Sequence, residues 1–219
     1  MPRLLVTGFG VFPGAPVNPT EKLVRALREA PPPLDGVGAF RAELLDVDYV
    51  TISGRLSEIG RSFSPDIAIH FGLARECSGF RLERTARNSH RDARPDNSGA
   101  LPASGRVCDG DETYPSSLPL DDIHAALAGA GLPVEWSDDA GGYLCNTVFT
   151  LSRAHACDGL APSMSGFVHV PPLREAEPEN PRTLAFDDLM RGALIIIDLC
   201  VARLAATRAW SSHLPLQRL

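Results

Sequence analysis

The 219-residue sequence has no Cys-x-x-Cys pair. Its five cysteines, Cys77, Cys108, Cys145, Cys157 and Cys200, are odd in number and widely spaced. That spacing argues against a structural zinc site. Small buried apolar residues in a reducing cytoplasm are the default expectation for most of them. Excess positive charge is also missing. The formal net charge is −6, which gives no general attraction to nucleic acid or to an anionic membrane. The longest apolar run, Ala193-Leu-Ile-Ile-Ile197, is too short to span a bilayer and meets Asp198. Met1 to Thr7 leads straight into a strand-like segment, so no secretory signal is expected. No internal repeat, low-complexity linker or domain boundary is evident. With 44% hydrophobic and 22% charged residues, the composition is that of one globular domain over 1–219. Residues 209–219 show no clear period and are expected to be less ordered.

Two further absences narrow the chemistry. Gly8-Phe-Gly10 is not a dinucleotide fingerprint, because no third glycine follows and Pro13 interrupts the helix start. His90, His124, His155 and His213 show no metal-ligand spacing to one another.

What is present is an alternation of strand and helix patterns. Leu4–Thr7 and Asp66–Phe71 read as buried strands. Ala39–Val47, Val134–Trp136 and Gly166–Val170 read as further strands, and Phe80–Asn88 as one strand beside the site. Helices are expected over Glu21–Ala30 with Thr20 as N-cap, then Val50–Ile59, Asp121–Gly129, Cys145–His155 and Phe186–Thr207. Pro95-Asp-Asn-Ser-Gly99 reads as a turn. The pattern predicts an α/β fold, a three-layer α/β/α sandwich with a mostly buried sheet. The face Ala193–Leu199 suits either a partner, which would make a homo-oligomer, or the chain's own core.

Cys145 carries the most chemical information. It stands in Asp139-Ala-Gly-Gly-Tyr-Leu-Cys-Asn-Thr-Val-Phe149, after two glycines and before a helix-compatible stretch. A helix N-terminus is the positive end of the helix dipole, and the thiolate is the nucleophilic form of cysteine. Glycines permit a sharp turn, and N–H groups at a helix start can hold an oxyanion. Asn146 is placed to cap or brace that turn. His169, at a strand end before Pro171-Pro172, is a candidate base. Glu83 is a candidate orienter of the imidazole. Phe9 and Phe12 in the first loop are candidates for the walls of a small apolar pocket. His70 reads as buried scaffolding.

Several runs together resemble the pyrrolidone-carboxylate peptidase (pyroglutamyl peptidase I) family of cysteine peptidases. They are Val6–Phe12 with Val17–Thr20, Leu82–Arg84 with Ala86–Asn88, Pro95–Asn97 with Gly99, Ala140–Phe149 and Gly166–Pro171. The resemblance implies a triad of Glu83, Cys145 and His169. It also implies removal of an N-terminal pyroglutamyl residue from small peptides through a thioester. A mixed-sheet α/β/α fold in the cytoplasm, without cofactor or metal, comes with it. Substrate contacts would fall to Phe9, Phe12, Asn18 and Leu73. Three departures stand out. Leu73 occupies a position where glutamine is usual. Phe12-Pro13-Gly14 replaces Phe-Gly-Gly. The segment Ser89–Arg94 leaves Arg91 and Arg94 both as candidates for the family's arginine. A catalytically weak homologue that only binds a pyroglutamyl-like group is the alternative reading. A nucleoside-processing enzyme on a similar scaffold is a third, and it lacks a phosphate loop.

Overall fold

The computed structural model describes residues 1–12, 14–33 and 35–212. Pro13, which distinguishes the Phe12-Pro13-Gly14 departure, lies outside the described residues, as do Leu34 and residues 213–219.

A six-stranded mixed sheet forms the middle layer. Its strands are β1 (Arg3–Phe9), β2 (Ala39–Leu45), β3 (Ile67–Leu73), β4 (Phe80–Glu83), β7 (Val134–Ser137) and β8 (Met164–Val170). Their spatial order is β2-β1-β3-β8-β4-β7. Every neighbouring pair is parallel except β8 with β4, which is antiparallel. Two short strands, β5 (Thr85–Arg87) and β6 (Thr113–Pro115), pair separately as an antiparallel ribbon.

The alternation of side chains along the strands separates two cores. Leu4, Val6, Ile67, Ile69 and Phe71 face one side, with helices α1 (Pro19–Glu29), α3 (Leu120–Gly129) and α5 (Phe186–Ser212). Leu5, Phe9, Ala68 and Phe167 face the other, with α2 (Ile52–Phe63) and α4 (Leu144–Arg153). The expected three-layer α/β/α architecture is what forms. Each fully buried leucine, isoleucine or phenylalanine contributes roughly 1.5–3 kcal/mol, so both faces are needed to hold the sheet. On α5, Ala193, Ile196, Ile197 and Cys200 are buried within the chain's own core.

Three sequence expectations change. The N-cap of α1 is Asn18, not Thr20. The Asn18 side chain accepts from Thr20 N, and Pro19 takes the first helical position, where its missing N–H costs nothing. Thr20 instead accepts the Phe9 amide at 2.9 Å and so ties α1 to the end of β1. The single strand expected over 80–88 breaks at Arg84, because β4 and β5 take different partners. Finally, α5 continues through Ser212, so residues 209–212 are helical rather than tail.

Candidate active site

The site lies where the ends of β3 and β8 meet the N-terminus of α4. His169 is in β8, and its Nδ1 is 2.7 Å from Oε1 of Glu83 in β4. Because β4 runs against β8, Glu83 pairs in register with Phe167, and His169 is two residues further along the same face. Glu83 is fully buried and His169 almost so. With Nδ1 turned to the carboxylate, Nε2 is left for the other side. Cys145 is there, half-buried in the first turn of α4. Burial alone would lower the pKa of His169. The charge and hydrogen bond of Cys145, backed by Glu83, outweigh it and hold the imidazole above its ordinary value.

Two glycines make this approach feasible. Gly72 of β3 pairs with His169 across the sheet, and a methyl group built there would lie 2.8 Å from Cys145 Sγ. The thiol therefore occupies space that a side chain at 72 would take. Gly141 has φ 78°, a conformation that favours glycine, and it turns the chain into α4. Tyr143 is the N-cap of α4 and supplies no side-chain cap. The N–H groups of the first turn, which lack intrahelical acceptors by geometry, thus remain available. Asn146 does not cap the helix; it braces β5. Its Oδ1 accepts from Arg87 N at 2.9 Å, and its Nδ2 donates to Arg87 O and Ser89 O at 2.7 and 3.1 Å.

Cys145 and His169 open onto a cavity of about 370 Å³. Phe9, Phe12, Val47, Leu73 and Tyr143 line its apolar wall. Phe12 and Tyr143 rings stand 6.1 Å apart, and Tyr49 packs edge-on to Tyr143 at 5.9 Å. Burial raises the pKa of both tyrosines, so both stay neutral at ordinary pH. The charged lining is three arginines, Arg75, Arg81 and Arg94, against Glu76, Asp92 and Asp139. The balance favours neither a cationic nor an anionic occupant.

A family model described as pyroglutamyl peptidase matches residues 2–203. The chain belongs to the pyroglutamyl peptidase family. It is 36% identical over 178 residues to the pyrrolidone-carboxylate peptidase of Pyrococcus furiosus, covering 79% of this chain and 82% of that one. It is 34% identical over 211 residues to pyrrolidone-carboxylate peptidase 1 of Ralstonia nicotianae, covering 93% and 94%. A solved mutant of the Pyrococcus furiosus pyrrolidone carboxyl peptidase superposes with TM-score 0.80 at 32% identity, covering 92% of this chain and 99% of that chain. The chain is accordingly a cysteine-type peptidase.

Of the residues named from sequence, the fold of this family member brings Glu83, Cys145, His169, Phe9, Phe12 and Leu73 to one place. Asn18 is elsewhere: it does not line the cavity, and its side chain donates to Gly10 O and accepts from Thr20. It shapes the first loop from behind. Of the two arginine candidates, Arg94 lines the cavity and lies over the Tyr143 ring at 5.4 Å, whereas Arg91 lines the neighbouring groove instead. Sequence reasoning missed Gly72, Tyr143 and Tyr49. For Tyr143, its position two residues before Cys145 was a usable signal. His70 is scaffolding as expected, fully buried with Nδ1 2.8 Å from Thr7 Oγ1.

Proposed function

We propose that this protein removes an N-terminal pyroglutamyl residue from small peptides, with Cys145 as nucleophile, His169 as acid and base, and Glu83 as orienter. The observation that carries the reading is the line Glu83–His169–Cys145 opening on a small aromatic cavity without net charge. A pyrrolidone ring is flat and uncharged, so the walls of Phe9, Phe12 and Tyr143 bury it favourably. A free α-amine placed there would lose its hydration without a partner. Leu73 adds an apolar contact where a side-chain amide would add a polar one, which leaves the lactam to be read by backbone groups.

In the chemical step, His169 Nε2 takes the Cys145 thiol proton and Sγ attacks the pyroglutamyl carbonyl carbon. The C–S bond forms and the carbonyl oxygen takes the negative charge. N–H groups at the start of α4 stabilise that oxyanion. His169 Nε2–H gives its proton to the leaving amine as the C–N bond breaks, leaving a thioester. Water then attacks the thioester carbonyl, giving its proton to His169. Pyroglutamate departs, and Cys145 returns as the leaving group. No step calls for a cofactor or metal. We place the enzyme in the cytoplasm. Its five unpaired cysteines support a reducing compartment, and among the described residues no helix is long and apolar enough to cross a membrane.

The test is hydrolysis of a pyroglutamyl amide with a fluorogenic leaving group, beside other aminoacyl amides. Turnover of the pyroglutamyl amide alone, lost in Cys145→Ala, is expected. No turnover by wild type, or undiminished turnover by Cys145→Ala, sinks the assignment. Family membership does not favour the alternative of a binding-only homologue.

A further inference from the structure

A second groove of about 480 Å³ adjoins the cavity. The two share one wall, made of Asp92, Asp139, Gly141 and Gly142. The middle of that wall is bare of side chains, and the backbone keeps it so. Gly141 sits at φ 78°, and a methyl on Gly142 would run into the carbonyl oxygen of Arg91. The result is a glycine ridge ahead of Cys145, open at Gly141 and packed against the Arg91–Asp92 backbone at Gly142.

Beyond the ridge the lining is polar. Arg87, Arg91 and Arg106 are interspersed with Asp92, Glu112 and Asp139. Arg87 pairs with Asp139 at 3.1 Å, and Arg91 lies 3.6 Å from Asp92. Arg106 donates to Gly110 O at 2.7 Å. The charges balance, so the groove does not suit a polyanion or a polycation. Donors and acceptors closely mixed along an open channel suit a peptide backbone, which carries one of each per residue. The substrate also requires such a channel. With its ring in the aromatic cavity and its carbonyl at Cys145, the leaving chain must exit the mouth, and the glycine ridge is the part of the rim without side chains.

We propose that the peptide beyond the scissile bond crosses the Gly141–Gly142 ridge and lies in the Arg87–Arg91–Arg106 groove. This deepens the pyroglutamyl peptidase reading and rests on it. It makes the natural substrate class peptides several residues long rather than short amides.

The experiment compares kcat/KM for a pyroglutamyl tetrapeptide and for a pyroglutamyl aminocoumarin amide in wild type, Arg91→Ala, Arg91→Lys and Arg106→Ala. The Arg91 side chain is 78% exposed, so truncating it leaves the fold intact; Arg106 also holds loop carbonyls. One charged hydrogen bond lost to the peptide lowers the tetrapeptide-to-amide ratio about tenfold. Arg91→Lys restores part of it. An unchanged ratio in both alanine variants overturns the groove and leaves the peptidase reading standing. Failure of wild type to cleave either substrate removes the peptidase reading itself, and the groove with it.

Discussion

Replacing Gly72 with alanine tests where the thiol sits. An added methyl would lie 2.8 Å from Cys145 Sγ, and 2.7 and 2.8 Å from Cζ and Cε1 of Phe167. Non-bonded carbons rest at about 3.5–4.0 Å, so one neighbour must give by roughly 1 Å. The Phe167 ring is fully buried, with the Phe149 ring at 6.1 Å and the His169 ring at 4.8 Å. It has nowhere to withdraw. The half-exposed thiol at the cavity mouth is the part that moves. A misplacement of about 1 Å at a reacting atom costs on the order of 10²-fold in rate. The overpacking costs a further ~1–3 kcal/mol of stability. Gly72→Ala should therefore lower kcat on the pyroglutamyl amide by about two orders of magnitude and slow alkylation of Cys145. Gly54 is the control. It is an exposed glycine in α2 with nothing within 4 Å of an added methyl, and alanine there should stabilise by roughly 0.5–1 kcal/mol without touching activity. If Gly72→Ala keeps kcat and alkylation within about threefold of wild type, Sγ does not react from the position described.

Other outcomes follow from the same geometry. Glu83→Gln keeps the shape of the buried orienter but not its charge, and should lower kcat by about 10²–10⁴-fold, less than Cys145→Ala; kcat equal to wild type would remove Glu83 from the mechanism. Asn146→Ala removes the side-chain partner of Arg87 N and Ser89 O, while Arg87 O keeps the Thr150 hydroxyl, and should cost roughly 2–4 kcal/mol in urea unfolding; a loss below ~1 kcal/mol would show that water replaces the amide. His70 is held neutral by burial, its pKa pushed down to about 3, while the unfolded chain titrates near the ordinary value. Its contribution is complete above about pH 6.5 and is lost as pH falls toward the folded value, a difference of about 2 kcal/mol between pH 7 and pH 5. His70→Leu should flatten the acid limb of unfolding free energy by that amount, and coincident limbs would refute the assignment.

The parts of this fold written in local pattern were legible in the sequence. Strands such as Ile67–Leu73 are continuous apolar runs because both faces of the sheet are covered, and α1 announces itself by Leu23, Val24 and Leu27. Cys145, His169 and Glu83 were legible as residue types beside strand and helix ends. Partner choice was not legible. Phe80, Leu82 and Ala86 keep one period through Arg84, so nothing local marks the passage from one sheet to another. Thr113–Pro115 is too short to show a period at all. Asn18 was named as a substrate contact by the family resemblance alone, and no local pattern shows that its side chain turns back to Gly10 and Thr20. Gly72 was invisible for a simple reason: its importance lies in the thiol that fills its missing side chain, and that thiol is 73 residues away in sequence.

The reversal of β4 against β8 is what sets Glu83 in line with His169 and Cys145, the triad we propose. In a wholly parallel sheet, strand ends converge at one edge and their side chains would share one depth. Here the chain enters β4 beside the outer end of β8 and runs inward, so Glu83 lies deeper than His169. Exposure then rises in order: Glu83 at 0%, His169 at 5%, Cys145 half-buried at the cavity. The order matters chemically. A hydrogen bond kept from water is electrostatically stronger, and the one between Glu83 and His169 is buried. In the mechanism we propose, the group that shuttles protons sits between the other two, and the nucleophile is the most exposed of the three. Glu83 Oε2 has no hydrogen-bond partner among the described residues, so the bond from Oε1 to His169 Nδ1 is the one that anchors the carboxyl group there. A buried carboxylate hydrogen-bonded to the imidazole stabilises its protonated form, which in the mechanism proposed above is the state that proton transfer to a leaving amine requires.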